Sequence, residues 1–200
     1  MNNLPLIVSF FTADWEYPIY ANLLKKNCKD LKLDFHIVER PTTGDYIRNT
    51  SIKPFFIREC LDKFKRPILW IDCDGSLLQI PSALAYSNVS DYDLGARVYS
   101  GPVDRAWHVG TLWFNSNEKT LQFVNDWCEL SESGTDENSF DSAWTKHKKN
   151  LNVYSLSSDY FSILTRRNPD PPENAVIVHR LSASPDKLKR KYPESQEIEK

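Results

Sequence analysis

The chain has 200 residues, 40% of them apolar and 26% charged, which is enough for one domain with a sizeable core. Its net charge of −2 excludes a general electrostatic attraction to nucleic acid or to an anionic membrane. No apolar run is long enough to cross a bilayer, and the opening Met1-Asn2-Asn3-Leu4-Pro5 lacks the basic region and apolar run of a signal peptide.

Leu6 to Phe11 is apolar and β-prone and reads as a first strand, closed by the polar break Thr12-Ala13-Asp14. From Tyr17 to Leu31 the apolar positions Ile19, Leu23, Leu24, Cys28 and Leu31 recur at helical spacing, with Lys25, Lys26 and Lys29 on the other side. Phe35 to Glu39 is a second strand. The β-α-β order points to an α/β fold with a mostly parallel central sheet flanked by helices. Arg40 to Ile52, with Pro41, Gly44 and Asp45, reads as a loop. Lys53-Pro54 opens a helix, since proline is tolerated in the first turn, and Phe56, Ile57, Cys60, Leu61 and Phe64 supply its apolar face.

Ile68 to Ile71, bounded by Pro67, is a short buried strand that runs into Asp72-Cys73-Asp74-Gly75. Strand alternation would put Asp72 and Asp74 on one side and Cys73 on the other. Two carboxylates held that close repel unless a cation sits between them or one is protonated. Oxygen ligands at the end of a buried strand suit Mg²⁺ or Mn²⁺, metals that share their coordination with substrate phosphates. The carboxyl ends of strands in an open α/β sheet are also where ligands bind.

Ser82 to Asn88 reads as a short helix, Tyr92 to Val98 as a strand and Tyr99 to Trp107 as a loop. His108 to Asn115 is a strand, with Gly110 where a ligand or another backbone can approach closely. Thr120 to Leu130 is an amphipathic helix, and Asp136 is a candidate N-cap for another. Leu151–Leu156 and Tyr160–Leu164 read as strands, and the prolines of Arg167 to Pro172 break regular structure. Ala175 to His179 is a strand with His179 at its end, followed by a basic, helix-like tail. Residues 1–192 are expected to form one domain and 193–200 a flexible tail. Between Ile163 and Lys191 seven Lys/Arg face three Asp/Glu, a local +4 that leaves −6 on the remainder and suits a phosphate-bearing partner. Cys28, Cys60, Cys73 and Cys128 form no C-x-x-C pair, which fits reduced thiols in a cytoplasmic protein.

Taken together, the strand ending at Phe11-Thr12, the Lys53-Pro54 helix start, the Ile68–Pro81 segment with its D-x-D, and the Gly110-Thr111 strand before a Trp-bearing helix are similar to small GT-A fold nucleotide-sugar glycosyltransferases of phage and bacterial type. Asp136-Glu137 falls where such enzymes often carry an Asp-Gln pair. The resemblance spans roughly residues 6 to 180.

The resemblance implies a metal-dependent transfer of a sugar from a nucleoside-diphosphate donor, UDP-linked by expectation, to an acceptor hydroxyl. Asp74, with Asp72, would hold Mn²⁺ or Mg²⁺ against the donor diphosphate; Asp72 would alternatively face the ribose. His179 is either the third metal ligand or a surface residue ending its strand. Phe11, Thr12 and Ala13 would line the nucleotide pocket, and Arg48 and Lys53 would give it cationic contacts. Trp107, His108, Gly110 and Thr111 would border sugar and acceptor. Asp136, backed by Glu137, is the carboxylate expected nearest the reacting sugar, with a plain helix cap as the alternative. Retention of configuration is favoured. The acceptor is hydroxymethylated phage DNA, reached by base flipping or through a groove, a saccharide, or a protein, and no membrane insertion is expected. The rival readings are a metal-dependent nucleotidyltransferase or phosphatase recruiting Asp91, Asp93 and Asp104, and a non-catalytic nucleotide-sugar-binding module.

Overall fold

The computed structural model describes residues 3–98, 107–131, 135–164 and 169–180. In chain order these form β1 (Leu6–Phe11), α1 (Tyr17–Asp30), β2 (Phe35–Glu39), α2 (Tyr46–Ser51), α3 (Lys53–Phe64), β3 (Ile68–Ile71), β4 (Gly75–Leu77), α4 (Tyr86–Val89), β5 (Leu94–Val98), β6 (Trp107–Phe114), α5 (Glu118–Leu130), α6 (Asp136–His147), β7 (Val153–Ser155), β8 (Ser162–Leu164) and β9 (Ile177–Arg180). The main sheet has the order β2-β1-β3-β6-β5-β7. Its β2/β1, β1/β3 and β5/β7 pairs are parallel, and β6 alone runs against its neighbours β3 and β5. A second sheet, β4-β9-β8, pairs β4 antiparallel and β8 parallel to β9.

Strand alternation sorts the core into two layers. Leu6, Val8, Ile68, Trp70, Leu112 and Phe114 meet α3, α5 and α6 through Phe56, Phe123, Trp127 and Phe140. Ile7, Leu69, Ile71 and Trp113 face the other way, onto Leu24 and Cys28 of α1 and onto Leu77 and Ile177 of the small sheet. Burying side chains of this size at about 1.5–3 kcal/mol each is the main term holding helices to both faces. Among the described residues no helix is long and apolar enough to cross a membrane.

Most expected elements form within a residue or two of their places, and the differences have local causes. Arg40 to Ile52 holds α2, because the Asp45 side chain accepts the Arg48 amide and starts a helix that runs through Ile52 into α3. The helix expected at Ser82 to Asn88 is a 3₁₀ turn and α4, parted at the extended Ala85. Tyr160 closes a 3₁₀ turn, so β8 is only three residues long. Thr135, not Asp136, caps α6: its hydroxyl accepts the Asn138 amide, which frees the Asp136 carboxylate for other partners. The loop expected at 99–107 lies outside the described residues except for Trp107, which begins β6. The tail beyond Arg180, including the flexible segment expected at 193–200, also lies outside them.

One correction bears on the site. β3 stops at Ile71, and the Gly75 amide donates to the Asp72 carbonyl at 2.7 Å, so residues 72–75 are a tight turn rather than a strand. The turn, not strand alternation, presents the two carboxylates, while Cys73 packs toward the α1-side core.

Candidate active site

The carboxyl ends of β1, β3 and β5 and the amino end of the antiparallel β6 meet at one edge of the main sheet, the edge where α/β sheets hold ligands. There β6 departs from regular pairing. Ala96 faces Leu112 but the next residue, Arg97, faces His108, so Val109, Gly110 and Thr111 bow out of the ladder with β5, while Thr111 still faces Ile71 of β3. All three serve the site. The Gly110 carbonyl accepts the Asp72 amide at 2.8 Å. The Val109 carbonyl accepts Lys53 Nζ at 3.2 Å, and Thr111 Oγ1 lies 2.8 Å from His179 Nε2.

Asp72 is held through one oxygen. Its Oδ1 accepts Trp70 Nε1 at 2.8 Å and pairs with Lys53 Nζ at 2.8 Å. The same ammonium pairs with Asp136 Oδ2 at 2.5 Å. Lys53 is 4% exposed and Asp136 7%, whereas the Asp72 side chain keeps 36% of its surface, so the Asp-Lys-Asp bridge is buried at Lys53 and Asp136 and open at Asp72. Burial acts to lower the Lys53 pKa, but Asp136 and then Asp72 outweigh it and hold the amine above the usual lysine range. Burial likewise acts to raise the Asp72 pKa, and Lys53, then His179, bring it below the usual carboxylate range. The cation beside Asp72 is therefore built in.

Asp74 lies on the other side of the turn, with Oδ1 3.5 Å from His179 Nδ1. β9 places His179 opposite Gly75, and His179 is 4% exposed, which rules out the surface alternative. With Nε2 at Thr111, Nδ1 is the nitrogen turned to Asp74. Phe161 stacks on the His179 ring with centroids 4.5 Å apart and lies 3.4 Å from the His108 ring. The cradle depends on two glycines: a Cβ on Gly110 would meet Phe161, Asp72 Oδ2 and His179, and one on Gly75 would meet Ile71, the Asp72 carbonyl and His179.

Among the described residues no group of three or more His, Cys, Asp or Glu is placed to hold a metal ion by itself. The predicted trio thus divides: Asp74 and His179 face one another, while Asp72 spends Oδ1 on Lys53 and Trp70. One carboxylate and one imidazole fit Mg²⁺ or Mn²⁺, which complete their shell with water and substrate phosphates.

Other expected residues sort by exposure. Thr12 is buried at the end of β1 and Ala13 is exposed just beyond it, whereas Phe11 belongs to the α1-side core with Lys25 over its ring at 4.9 Å. Arg48 stands exposed on α2. Lys53 does not stand open to a nucleotide, since its amine is taken by two carboxylates and a carbonyl. Glu137 is half-buried beside Asp136. His108 is largely buried against Phe161; burial first, then its neighbour His179, pushes its pKa down to about 3. The side chain of Trp107 and all of Asp104 lie outside the described residues. Asp91 is exposed, and Asp93 is occupied by Asn117 Nδ2 and the Asn152 amide, each at 2.8 Å.

Three participants escaped the sequence reading. Trp70 looked like core but directs its indole N–H at Asp72. Phe161 had no signal beyond its apolar character. Arg180 follows His179 on β9: its amide donates to the Asp74 carbonyl at 3.2 Å and its Nη1 to Ser76 Oγ at 2.5 Å. No carboxylate of the described residues lies within 4.0 Å of its guanidinium. Tyr20 of α1 lies close enough to feel the charges of Arg180 and Asp74; its hydrogen bond to Glu16, at 2.6 Å, chiefly pushes its pKa up to about 12. The adjacency of Arg180 to a candidate metal ligand was the one available hint.

A mainly parallel sheet flanked by helices, with carboxylates at its carboxyl edge and a small second sheet beside them, is a GT-A-like glycosyltransferase fold. A crystal structure of a glycosyltransferase involved in the glycosylation of the major capsid of PBCV-1 superposes with a TM-score of 0.66 at 14% identity, covering 96% of this chain and 99% of that one. The galactosyltransferase LgtC, solved with donor and acceptor sugar analogs, gives a TM-score of 0.54 at 10% identity over 89% of this chain and 87% of its own. The bifunctional glycosyltransferase WbbM gives 0.58 at 10% identity over 90% of this chain and 46% of its own. No protein-family model and no curated protein sequence matches the chain.

Proposed function

We propose that the protein is a metal-dependent glycosyltransferase that moves a sugar from a nucleoside-diphosphate donor, UDP-linked, to an acceptor hydroxyl. The observation that carries this reading is the convergence of Asp72, Asp74, Asp136 and His179 around the bowed Val109-Gly110-Thr111 segment. Asp74 and His179 would hold Mn²⁺ or Mg²⁺. Such an ion, when bound, supplies Lewis-acid stabilisation of the charge that grows on a departing diphosphate. Arg180, with no carboxylate partner among the described residues, would face the same phosphates through its remaining N–H groups. Asp136 would turn its second oxygen toward the reacting sugar. Phe161 and His108 form an aromatic wall that excludes water on the Gly110 side. Thr12 and Ala13 would border the nucleoside. Retention of configuration is the course we favour, with a saccharide or hydroxymethylated DNA as acceptor. The four free cysteines suit a reducing, cytoplasmic setting.

Thermal denaturation with UDP, with and without Mn²⁺, tests the reading. At a hundredfold excess over Kd a ligand specific for the native state adds about 2.7 kcal/mol, or roughly 5–11 °C in Tm for a chain of this size. That gain should need Mn²⁺ and vanish in Asp74→Asn. A wild-type Tm unmoved by UDP plus Mn²⁺, with no sugar released from any UDP-sugar, overturns the proposal. Release without Mn²⁺ or Mg²⁺ overturns its metal dependence.

A further inference from the structure

Lys53 breaks three local rules at once. It is a lysine only 4% exposed, it opens α3 where the helix dipole is positive, and Ile52 before it provides no side-chain cap. Residues that defy local preference are retained where something else needs them. Its ammonium has three protein partners, Asp72 Oδ1, Asp136 Oδ2 and the Val109 carbonyl, one for each of its protons, and it lies 5.3 Å from the Trp70 ring centre. These partners come from the turn after β3, the first turn of α6 and the bowed segment of β6. No contact within one element could set their mutual positions.

From this geometry we infer that Lys53 is a positioning residue, acting through Asp72 and Asp136 rather than on the donor. It takes one oxygen from each carboxylate and leaves the other, Asp72 Oδ2 and Asp136 Oδ1, without a protein donor among the described residues. Asp72 Oδ2 faces Gly110. The clamp therefore fixes which oxygen of each acid meets the substrate, and at what separation. Arginine cannot substitute, because its planar fork is wider than an ammonium and cannot place three donors around one point. The inference rests on the transferase reading, since the role it assigns is the aiming of groups that reading uses.

Two measurements test it. The first is a double-mutant cycle in thermal denaturation with Lys53→Met, Asp136→Asn and the charge-balanced pair Lys53→Met/Asp136→Asn. Removing Lys53 alone strands the buried Asp136 carboxylate beside the partly exposed Asp72, so the pair should lose less Tm than the sum of the single variants. Additive losses overturn the clamp, whatever the protein turns over. The second compares UDP affinity with the rate of sugar release from a UDP-sugar, taking Lys53→Arg for both readings and the charge-balanced pair, which also lacks the Asp136 carboxylate, for UDP affinity alone. Release should fall about 100-fold in kcat in Lys53→Arg, the scale of a 1 Å misplacement, while UDP Kd stays within about threefold of wild type in both. A Kd raised tenfold or more with kcat retained makes Lys53 a phosphate contact instead. Unchanged kcat and Kd make it a structural tie alone. A wild-type protein inert toward every donor overturns the transferase reading and the positioning role with it, while the stability cycle still reports whether the clamp exists.

Discussion

A methyl group added at Gly110 would stand 2.9 Å from Phe161 Cε2 and 3.3 Å from both Asp72 Oδ2 and His179 Cε1. None of the three can give way easily. The Phe161 ring is already pressed between His108, at 3.4 Å, and His179, at 4.5 Å. Asp72 is pinned by Trp70 and Lys53, and His179 by Thr111. Restoring ordinary contact needs a shift on the order of 0.5 Å, and overpacking of this kind costs about 1–3 kcal/mol. At about 2–4 °C per kcal/mol for a chain of this length, Gly110→Ala should lower Tm by roughly 2–12 °C. Because two of the crowded atoms belong to proposed ligand-facing side chains, sugar release per folded molecule should drop by roughly tenfold or more. Gly44→Ala is the control. Its φ of +71 makes it strained by about 1–2 kcal/mol, but nothing lies within 4 Å of the added carbon, so it crowds no site residue and turnover should hold. Differential denaturation and a nucleotide-release assay read both quantities. Wild-type Tm and turnover in Gly110→Ala would refute the packing of Phe161, Asp72 and His179 around this position.

Arg180→Ala should raise the Kd for UDP roughly tenfold to a hundredfold, the scale of a lost charge-assisted hydrogen bond, with Arg180→Lys regaining only part of it; an unchanged Kd by calorimetry removes Arg180 from the phosphate site. His108 gives a pH dependence. Its ring stays neutral in the fold down to about 3, against 6.5 ordinarily, so between those values the unfolded chain binds the extra proton and stability falls as pH drops from 6.5. His108→Leu should flatten that part of the acid slope in urea titrations at pH 7 and 4.5, and an unaltered slope contradicts the assignment. Thr135→Ala removes the cap one residue before Asp136 and should cost about 1 kcal/mol, or about 2–4 °C. Turnover should fall with it and return in Thr135→Ser; turnover that ignores the cap means Asp136 is held by Lys53 alone.

The main sheet was legible because its strands are continuous apolar runs, and Asp72-Cys73-Asp74 because such a run ends on two acids and a glycine. What stayed hidden lies in pairings between distant segments. β4 is three residues long, and its partner β9 comes about a hundred residues later, so no local period announces it. Without that pairing His179 could not be placed opposite Gly75, nor Arg180 beside Asp74. The Asp-Lys-Asp bridge was hidden for the same reason: each member, read alone, suits a solvated charge or a helix cap. Trp70 was masked by its own neighbours, since an indole inside an Ile-Leu-Trp-Ile run reads as core, and it is core apart from one N–H.

Asp93 shows why burial of a carboxylate is not by itself a sign of chemistry. It is 5% exposed, as deeply placed as Asp136, and it lies at the start of a strand. Yet both its oxygens are spent, one on the Asn117 side chain and the other on the Asn152 amide, while its own carbonyl takes the Thr120 hydroxyl and the Asn115 amide. It ties the start of β5 to the cap of α5 and to the residue entering β7, and neither of its oxygens is left without a protein donor. Asp72 and Asp136 share a single ammonium and keep one oxygen each. If the protein were a metal-dependent phosphatase or nucleotidyltransferase recruiting a further acid, Asp93 would have to give up both hydrogen bonds and unpack α5 to reach the metal. Asp93→Asn should accordingly cost stability by disturbing the Asn152 and Asn117 contacts while leaving UDP affinity at wild type. A variant with intact Tm and lost metal dependence would reverse that order and favour the rival chemistry.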